Sequence, residues 1–217
     1  MCARYTLTLE QARLVIAGLV HIFAFAPRYN IGPAQRVPVI LDTAEGVKAV
    51  EMRWGIPSAW SKTLHINAQA ENIHKTTTFK PLLGQRCLVP MDGFYEWKNK
   101  SPVRFVRRGR ELFCVAGLWK EDDIPSPVGT GEGGSGFAEP GEGRGEKPNL
   151  DGTSRSSFVL LTTAANPSVA PIHDRMPFIV RDDHLDQWLN NSDSQLSSSI
   201  LHLLDKNPWI FTPSAAK

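Results

Sequence analysis

The sequence predicts an α+β fold whose body is a predominantly antiparallel, barrel-like sheet flanked by a few helices. Three observations carry that expectation. Short β-branched and aromatic runs bounded by turn residues recur through the first half of the chain. Helical apolar spacing is confined to one stretch near the N-terminus and two near the C-terminal end. A chain of 217 residues is long enough for one substantial core, so residues 1–217 are read as a single domain.

Thr8-Leu9-Glu10-Gln11 reads as a capping box, with Thr8 as N-cap and Gln11 reaching back. A helix is expected to follow, turning Leu14, Ile16, Leu19 and Val20 toward the core. The apolar run Leu14 to Phe23, followed by Ala24-Phe25-Ala26, imitates a secretory leader. Glu10 in the would-be basic region, His21 within the run and Pro27 after the would-be cut oppose that reading. The run is also too short to span a bilayer. A cytoplasmic protein without membrane association is expected.

Val37 to Leu41 reads as an edge strand, because Pro38 cannot donate to a ladder. Strands are expected at Val47–Trp54, Leu64–Ala68, Arg86–Met91, Gly93–Trp97, Val103–Arg107, Leu112–Leu118 and Phe158–Thr163, with a hairpin turning at Arg108-Gly109-Arg110. Phe178 to Val180 forms another strand. Two helices then follow. Asp182 caps the first, with Leu185, Trp188 and Leu189 on one face; the second runs from about Ser194 to Leu204. Pro125 to Ser157 is rich in Gly, Pro, Ser and Glu and nearly devoid of large apolar residues, so it reads as a disordered insert. Its Gly129-Thr-Gly131-Glu-Gly133-Gly134 matches GxGxxG, but no strand enters it and no amphipathic helix leaves it, which excludes a dinucleotide site.

Residues 121–151 hold eight acidic side chains against Arg144 and Lys147, a net −6 in a chain of overall charge +2, leaving +8 for the remainder. A basic body is compatible with an anionic partner. Cys2, Cys87 and Cys114 form an odd set without metal-ligand spacing, which argues against a disulfide framework and a zinc site. No metal and no cofactor are expected.

Cys2 follows Met1 directly and is small enough for the methionine to be trimmed. Its thiol would then stand beside a free α-amine, and both groups titrate near neutral pH. The amine can condense with an aldehyde and the thiol can close onto the imine carbon; alternatively Cys2 belongs to a frayed terminus. In Gly93-Phe94-Tyr95-Glu96-Trp97-Lys98, alternation sends Phe94, Glu96 and Lys98 to one face and Tyr95 and Trp97 to the other. Rings around Glu96 would favour its neutral form and suit it to proton transfer; alternatively it is a surface glutamate on an edge strand. His173, between Pro171 and Pro177, is a candidate acid or base or else a structural histidine, with Asp174 and Arg175 as a pair shaping its loop. Asn67 could bond a sugar hydroxyl or close an Asx turn. Trp54 and Trp60 offer either a base-stacking ring or core packing.

Together these segments resemble the SRAP family, the SOS-response-associated peptidases or abasic-site-processing proteins. The resemblance rests on Cys2-Ala3-Arg4-Tyr5, Asn30-Ile31-Gly32-Pro33, Trp54-Gly55-Ile56, Asn67-Ala68-Gln69-Ala70-Glu71, Tyr95-Glu96-Trp97 and His173-Asp174-Arg175-Met176-Pro177, in the family's order. It covers about residues 1–119 and 157–212. It implies an SRAP-like fold and single-stranded DNA with abasic sites as partner, bound by a monomer. Cys2 would form a thiazolidine with the lesion's aldehyde, Glu96 would move protons, His173 would assist sugar opening and Asn67 would hold the cysteine and sugar. Arg4, Pro33, Trp54, Gln69 and Trp97 would line the DNA channel. Gln69 stands where the family usually has arginine, which could shift the grip to Arg53, Lys75 or Arg86; Ala3 replaces glycine. Two rival readings remain, an N-terminal-nucleophile amidohydrolase or peptidase and a non-enzymatic single-strand binder.

Overall fold

The computed structural model describes residues 2–58, 62–109, 111–121, 156–190 and 211–214. The chain begins with β1 (Arg4–Leu7), β2 (Gln11–Ile16), β3 (Leu19–Ala24), β4 (Arg28–Ile31), β5 (Arg36–Thr43) and β6 (Gly46–Trp54). Short strands β7 (Ile56–Pro57), β8 (Leu64–His65) and β9 (Asn67–Gln69) lead to a 3-10 turn at Ala70–Lys75. Then come β10 (Arg86–Met91), β11 (Gly93–Lys98), β12 (Ser101–Arg107), β13 (Phe113–Glu121) and β14 (Ser156–Ala164). The last described elements are β15 (Arg175–Pro177), β16 (Ile179–Val180), the short helix α1 (Leu185–Asn190) and β17 (Phe211–Ser214).

Two larger sheets organise most of these strands, and β2-β3 and β7-β8 form separate two-stranded sheets. In one, β14, β6, β5, β10 and β13 pair in succession, and β13 pairs back onto β14, closing a ring. Closure removes the open edges that a flat sheet would leave. The expected barrel-like sheet is therefore present, antiparallel except where β14 runs parallel to β6 and β9. The second sheet is open and antiparallel, in the order β17-β12-β11-β1-β4. The chain passes from ring to open sheet at Asp92, between β10 and β11, and returns between β12 and β13. Phe94, Phe105, Phe113 and Phe211 stack edge and face where the two layers meet, with centroids 5.3–6.5 Å apart.

Several expectations are corrected. No helix follows Thr8: β2 and β3 form a hairpin. Ala12, Leu14 and Ile16 are buried while Gln11, Arg13 and Val15 are exposed, a period of two rather than 3.6. Ala17 and Gly18 both have positive φ (53° and 72°), as a two-residue hairpin turn requires. Leu19 and Val20, expected inside, are 65% and 49% exposed. Val37–Leu41 is no edge: β5 lies between β6 and β10. Its ladder to β10 registers at Ile40–Leu88, beyond Pro38, so the proline is tolerated. The turn at Gly109 makes no hairpin, because β12 belongs to the open sheet and β13 to the ring. At the C-terminal end, Leu185 and Trp188 are buried and Leu189 partly so, but Asp182 lies within a 3-10 turn whose N-cap is Arg181. The expected insert, apart from its last two residues, and the helix at 194–204 lie outside the described residues, as does Trp60. Among the described residues no helix is long and apolar enough to cross a membrane.

Candidate active site

Cys2 leads into β1, which is held between β11 and β4 in the open sheet. The register pairs Arg4 with Tyr95, Tyr5 with Phe94 and Thr6 with Gly93. Continued toward the N-terminus, it carries Cys2 to the stretch of β11 that holds Glu96. The Cys2 side chain is buried, and its Sγ lies 3.6 Å from the Arg4 carbonyl oxygen. Asn67 reaches the same place from β9, which is fastened to β14 of the ring. Its Nδ2 donates to the Cys2 carbonyl at 2.7 Å, so it makes no Asx turn. The Asn67 Oδ1 is buried without a hydrogen-bond partner among the described residues, leaving an acceptor unused.

Glu96 is 1% exposed on the face of β11 that also buries Phe94. Burial raises its carboxyl to about 7, helped by Asp174 and opposed by the positive chain terminus. His173 follows β14 on a turn in which the Asn166 carboxamide accepts from the Ser168 and Val169 amides. The His173 Nδ1 accepts the Arg175 amide at 2.9 Å, which puts the ring proton of the neutral form on Nε2. That nitrogen stands 3.8 Å from Glu96 Oε2. Asp174 Oδ1 is also 2.9 Å from Nδ1, a contact that attracts only when Nδ1 carries a proton. Burial, and then the Glu96 charge, push the Cys2 thiol above its ordinary range. Cys2, Asn67, Glu96 and His173 thus converge, with a carboxyl that is half ionised near neutrality beside a thiol held protonated.

The expected Asp174–Arg175 pair does not form. Arg175 makes a two-pronged bond to Glu71 instead, both contacts at 2.9 Å, and donates to the Thr162 carbonyl at 2.7 Å. Burial alone would raise the Glu71 carboxyl, but the Arg175 hydrogen bonds and charge hold it below its usual value. This fork ties the turn after β9 to the loop of His173. Sequence reasoning gave Glu71 no role, although it lies in the quoted Asn67–Glu71 motif.

The proposed channel residues divide. Arg4 lies over Gly32, where an added Cβ would meet its guanidinium at 2.8 Å, and it donates to Asn30 Oδ1 at 3.2 Å. The Asn30-Ile-Gly-Pro33 run is thereby the seat of Arg4, and Pro33 is half-buried beside it. Trp97 is 38% exposed, with Tyr95 packed at 6.4 Å. Gln69 is exposed and accepts from Asn72 at 3.0 Å. Trp54 is different. It is fully buried against Tyr5, and its Nε1 donates to the Ile66 carbonyl at 2.9 Å. No base can stack on it; it props the strand that presents Asn67. Arg86 is likewise buried, bonded to the Leu83 carbonyl and lying over Trp188, so it cannot replace a missing phosphate contact. Lys75 is exposed. Among the described residues no three His, Cys, Asp or Glu side chains converge to hold a metal ion.

The family described as SOS response associated peptidase (SRAP) matches residues 1–212. The chain belongs to the SRAP family. Its relatives within that family include the abasic site processing protein YoqW of Bacillus subtilis, 29% identical over 222 residues that cover 94% of this chain and 88% of the relative. The abasic site processing protein YedK of Escherichia coli is 25% identical over 179 residues, 79% of this chain and 68% of that one. Among solved structures, a phage-related protein from Bordetella bronchiseptica superposes with a TM-score of 0.66 at 20% identity, covering 98% of this chain and 94% of the other. A second Bordetella bronchiseptica protein gives 0.65 at 20% identity, over 99% and 100%. These two likenesses establish the fold. In this SRAP chain Ala3, in the place the family usually gives to glycine, is half-buried between the nucleophile candidate and Arg4.

Proposed function

We propose that the protein binds single-stranded DNA and captures abasic sites through Cys2 once Met1 has been removed, by its own peptidase action or by an aminopeptidase. The single observation that carries this reading is the meeting of Cys2, Asn67, Glu96 and His173 around one point. The names of the relatives, abasic site processing proteins, support the substrate class.

The freed α-amine of Cys2 attacks the aldehyde of the ring-opened deoxyribose. A C–N bond forms, and one water leaves as the imine is made. The thiol S–H then adds across the C=N bond: carbon gains sulfur, nitrogen gains the proton, and a five-membered thiazolidine closes. Glu96, near 7, can both give and take protons at neutral pH, as dehydration and thiol addition demand in turn. Because the Cys2 thiol is held protonated, amine attack comes first. His173, whose Nε2 stands 3.8 Å from Glu96 Oε2, assists ring opening. Asn67 fixes the Cys2 carbonyl and offers its free Oδ1 to a sugar hydroxyl. Arg4 and Trp97 grip the strand. The three free cysteines fit a reducing cytoplasm, where the protein would act as a monomer.

The test is the intact mass of mature protein mixed with an abasic or an undamaged single strand. The abasic strand should add the oligonucleotide mass less one water, in a form that resists heat; the undamaged strand should add nothing. No adduct, or equal adducts with both strands, overturns the reading.

A further inference from the structure

β1 has four residues, registers at three positions with β11, and bulges against β4 between Tyr5 and Leu7. So short a strand has little ladder to hold it, and a slip by one residue would turn every side chain to the opposite face. A buried polar cluster grips it from the side. Thr6 Oγ1 donates to Asp92 Oδ1, and both the amide and the hydroxyl of Thr8 donate to Asp92 Oδ2, the amide at 2.7 Å. The Asp92 amide donates to the Thr6 carbonyl at 2.9 Å. Arg104, from β12, crosses the sheet to reach Thr6 Oγ1 at 2.8 Å and Asp92 Oδ1 at 3.2 Å. It passes over Gly93, where an added Cβ would meet Arg104 Nε at 2.8 Å and Thr6 Oγ1 at 3.0 Å. Asp92 is 3% exposed, and it sits at the bend that joins ring strand β10 to β11.

We propose that Asp92, seconded by Thr6, Thr8 and Arg104, is a positioning residue that locks the register of β1 so that Cys2 is held beside Glu96, an inference that rests on the reading of Cys2 as nucleophile. The carboxylate touches no reacting atom. It acts through Thr6 and Thr8, four and six positions along from Cys2, and it binds them to the same bend from which Glu96 is hung. Both partners of the proposed chemistry therefore take their place from one side chain. Misplacing a reacting group by about 1 Å costs on the order of 100-fold in rate.

Two measurements on the mature protein decide the matter: hydrogen exchange along the chain and the rate of adduct formation with abasic single strand. Asp92→Asn should speed amide exchange in residues 2–8 by roughly tenfold to a hundredfold, the factor for losing hydrogen bonds to a carboxylate, while β13 and β14 stay protected. Adduct formation should slow by about tenfold to a hundredfold. Thr6→Val should do the same more mildly, and Thr6→Ser, which keeps the hydroxyl, should restore both readouts. If Asp92→Asn loosens the whole chain, the Thr6 pair carries the test, since Val and Ser leave the ion pair in place. Faster exchange in β1 with an unchanged adduct rate would overturn the proposal, as would no change in either. A wild-type protein that forms no adduct would instead sink the reading of Cys2, while the exchange data still report whether Asp92 holds β1.

Discussion

In the ring, β10, β13 and β14 are buried along almost their whole length, whereas in the open sheet β1 and β4 have four residues each and carry Arg4 and Asn30 outward. The ring is held by apolar contact and by ladders on both sides of each strand. The open sheet depends at its N-terminal end on side-chain hydrogen bonds, above all those of Asp92. Both regions contain buried cysteine: Cys87 on β10 and Cys114 on β13 in the ring, Cys2 at the head of β1. Burial raises all three thiols, yet Glu96 acts on Cys2 and not on the other two. Only there can removal of Met1 expose an amine beside the thiol. Rigid closure and the proposed chemistry are thus divided between the layers, and the candidate site lies where they meet.

That division can be broken experimentally. The largest effect should come from Glu96→Gln, which should slow adduct formation by roughly 10²–10⁴ while leaving the fold intact, as single-turnover kinetics and circular dichroism would record. In the ring, Phe158→Ala should cost about 3–5 kcal/mol of unfolding free energy in denaturant titrations, because Phe158 is fully buried. If Phe158→Ala altered the adduct rate of the still-folded fraction, the layers would not be separable in this way.

Proton linkage offers a third test. Glu96 sits at about 7 when folded, against 4.5 for an ordinary glutamate carboxyl. A carboxyl raised in the native state stabilises below its unfolded value, and that contribution is lost as pH climbs through 7. Between pH 5 and pH 8 the wild type should therefore lose on the order of 2 kcal/mol more stability than Glu96→Gln. A parallel decline in the two proteins would show that Glu96 is not raised. The smallest effect belongs to Trp97→Ala, roughly 1–2 kcal/mol in single-strand affinity, in the lower part of the base-stacking range because the ring is only 38% exposed. Affinity should fall steeply with added salt, and stability should scarcely move. Trp54→Ala should do the reverse, destabilising the fold, since its ring packs on Tyr5 and its N–H holds Ile66.

Much of the ring was legible in the sequence, because β10 and β14 are largely apolar runs and β6 alternates in part, patterns that do not depend on distant partners. The open sheet was harder to read. Arg4–Leu7, Arg28–Ile31 and Phe211–Ser214 are short and mixed in composition, and become strands only by pairing with β11, β1 and β12 respectively. Leu14 to Phe23 misled because its apolar residues fit both periods until Ala17 and Gly18 are seen to turn. Cys2, Asn67, Glu96 and His173 stood out by chemical type, since each can attack, bond or move a proton. What supports them did not, because Asp92 and Thr6 are 86 residues apart and Arg175 and Glu71 are 104 apart. Such pairs leave no local pattern. Trp54 was ambiguous for a related reason: an indole suits a core and a stacking surface equally, and only burial decides.

The most direct test is to map where an abasic strand attaches, by intact mass and peptide mass after nuclease digestion, in the wild type and in single cysteine variants. The expected result is a heat-stable adduct on Cys2 in the wild type, Cys87→Ser and Cys114→Ser proteins. Cys2→Ser should lose most of that stability, and Cys2→Ala should give at most a labile imine. A heat-stable adduct on Cys2→Ala, or attachment at Cys87 or Cys114, would contradict the account, because the reacting group would then lie elsewhere than at the head of β1.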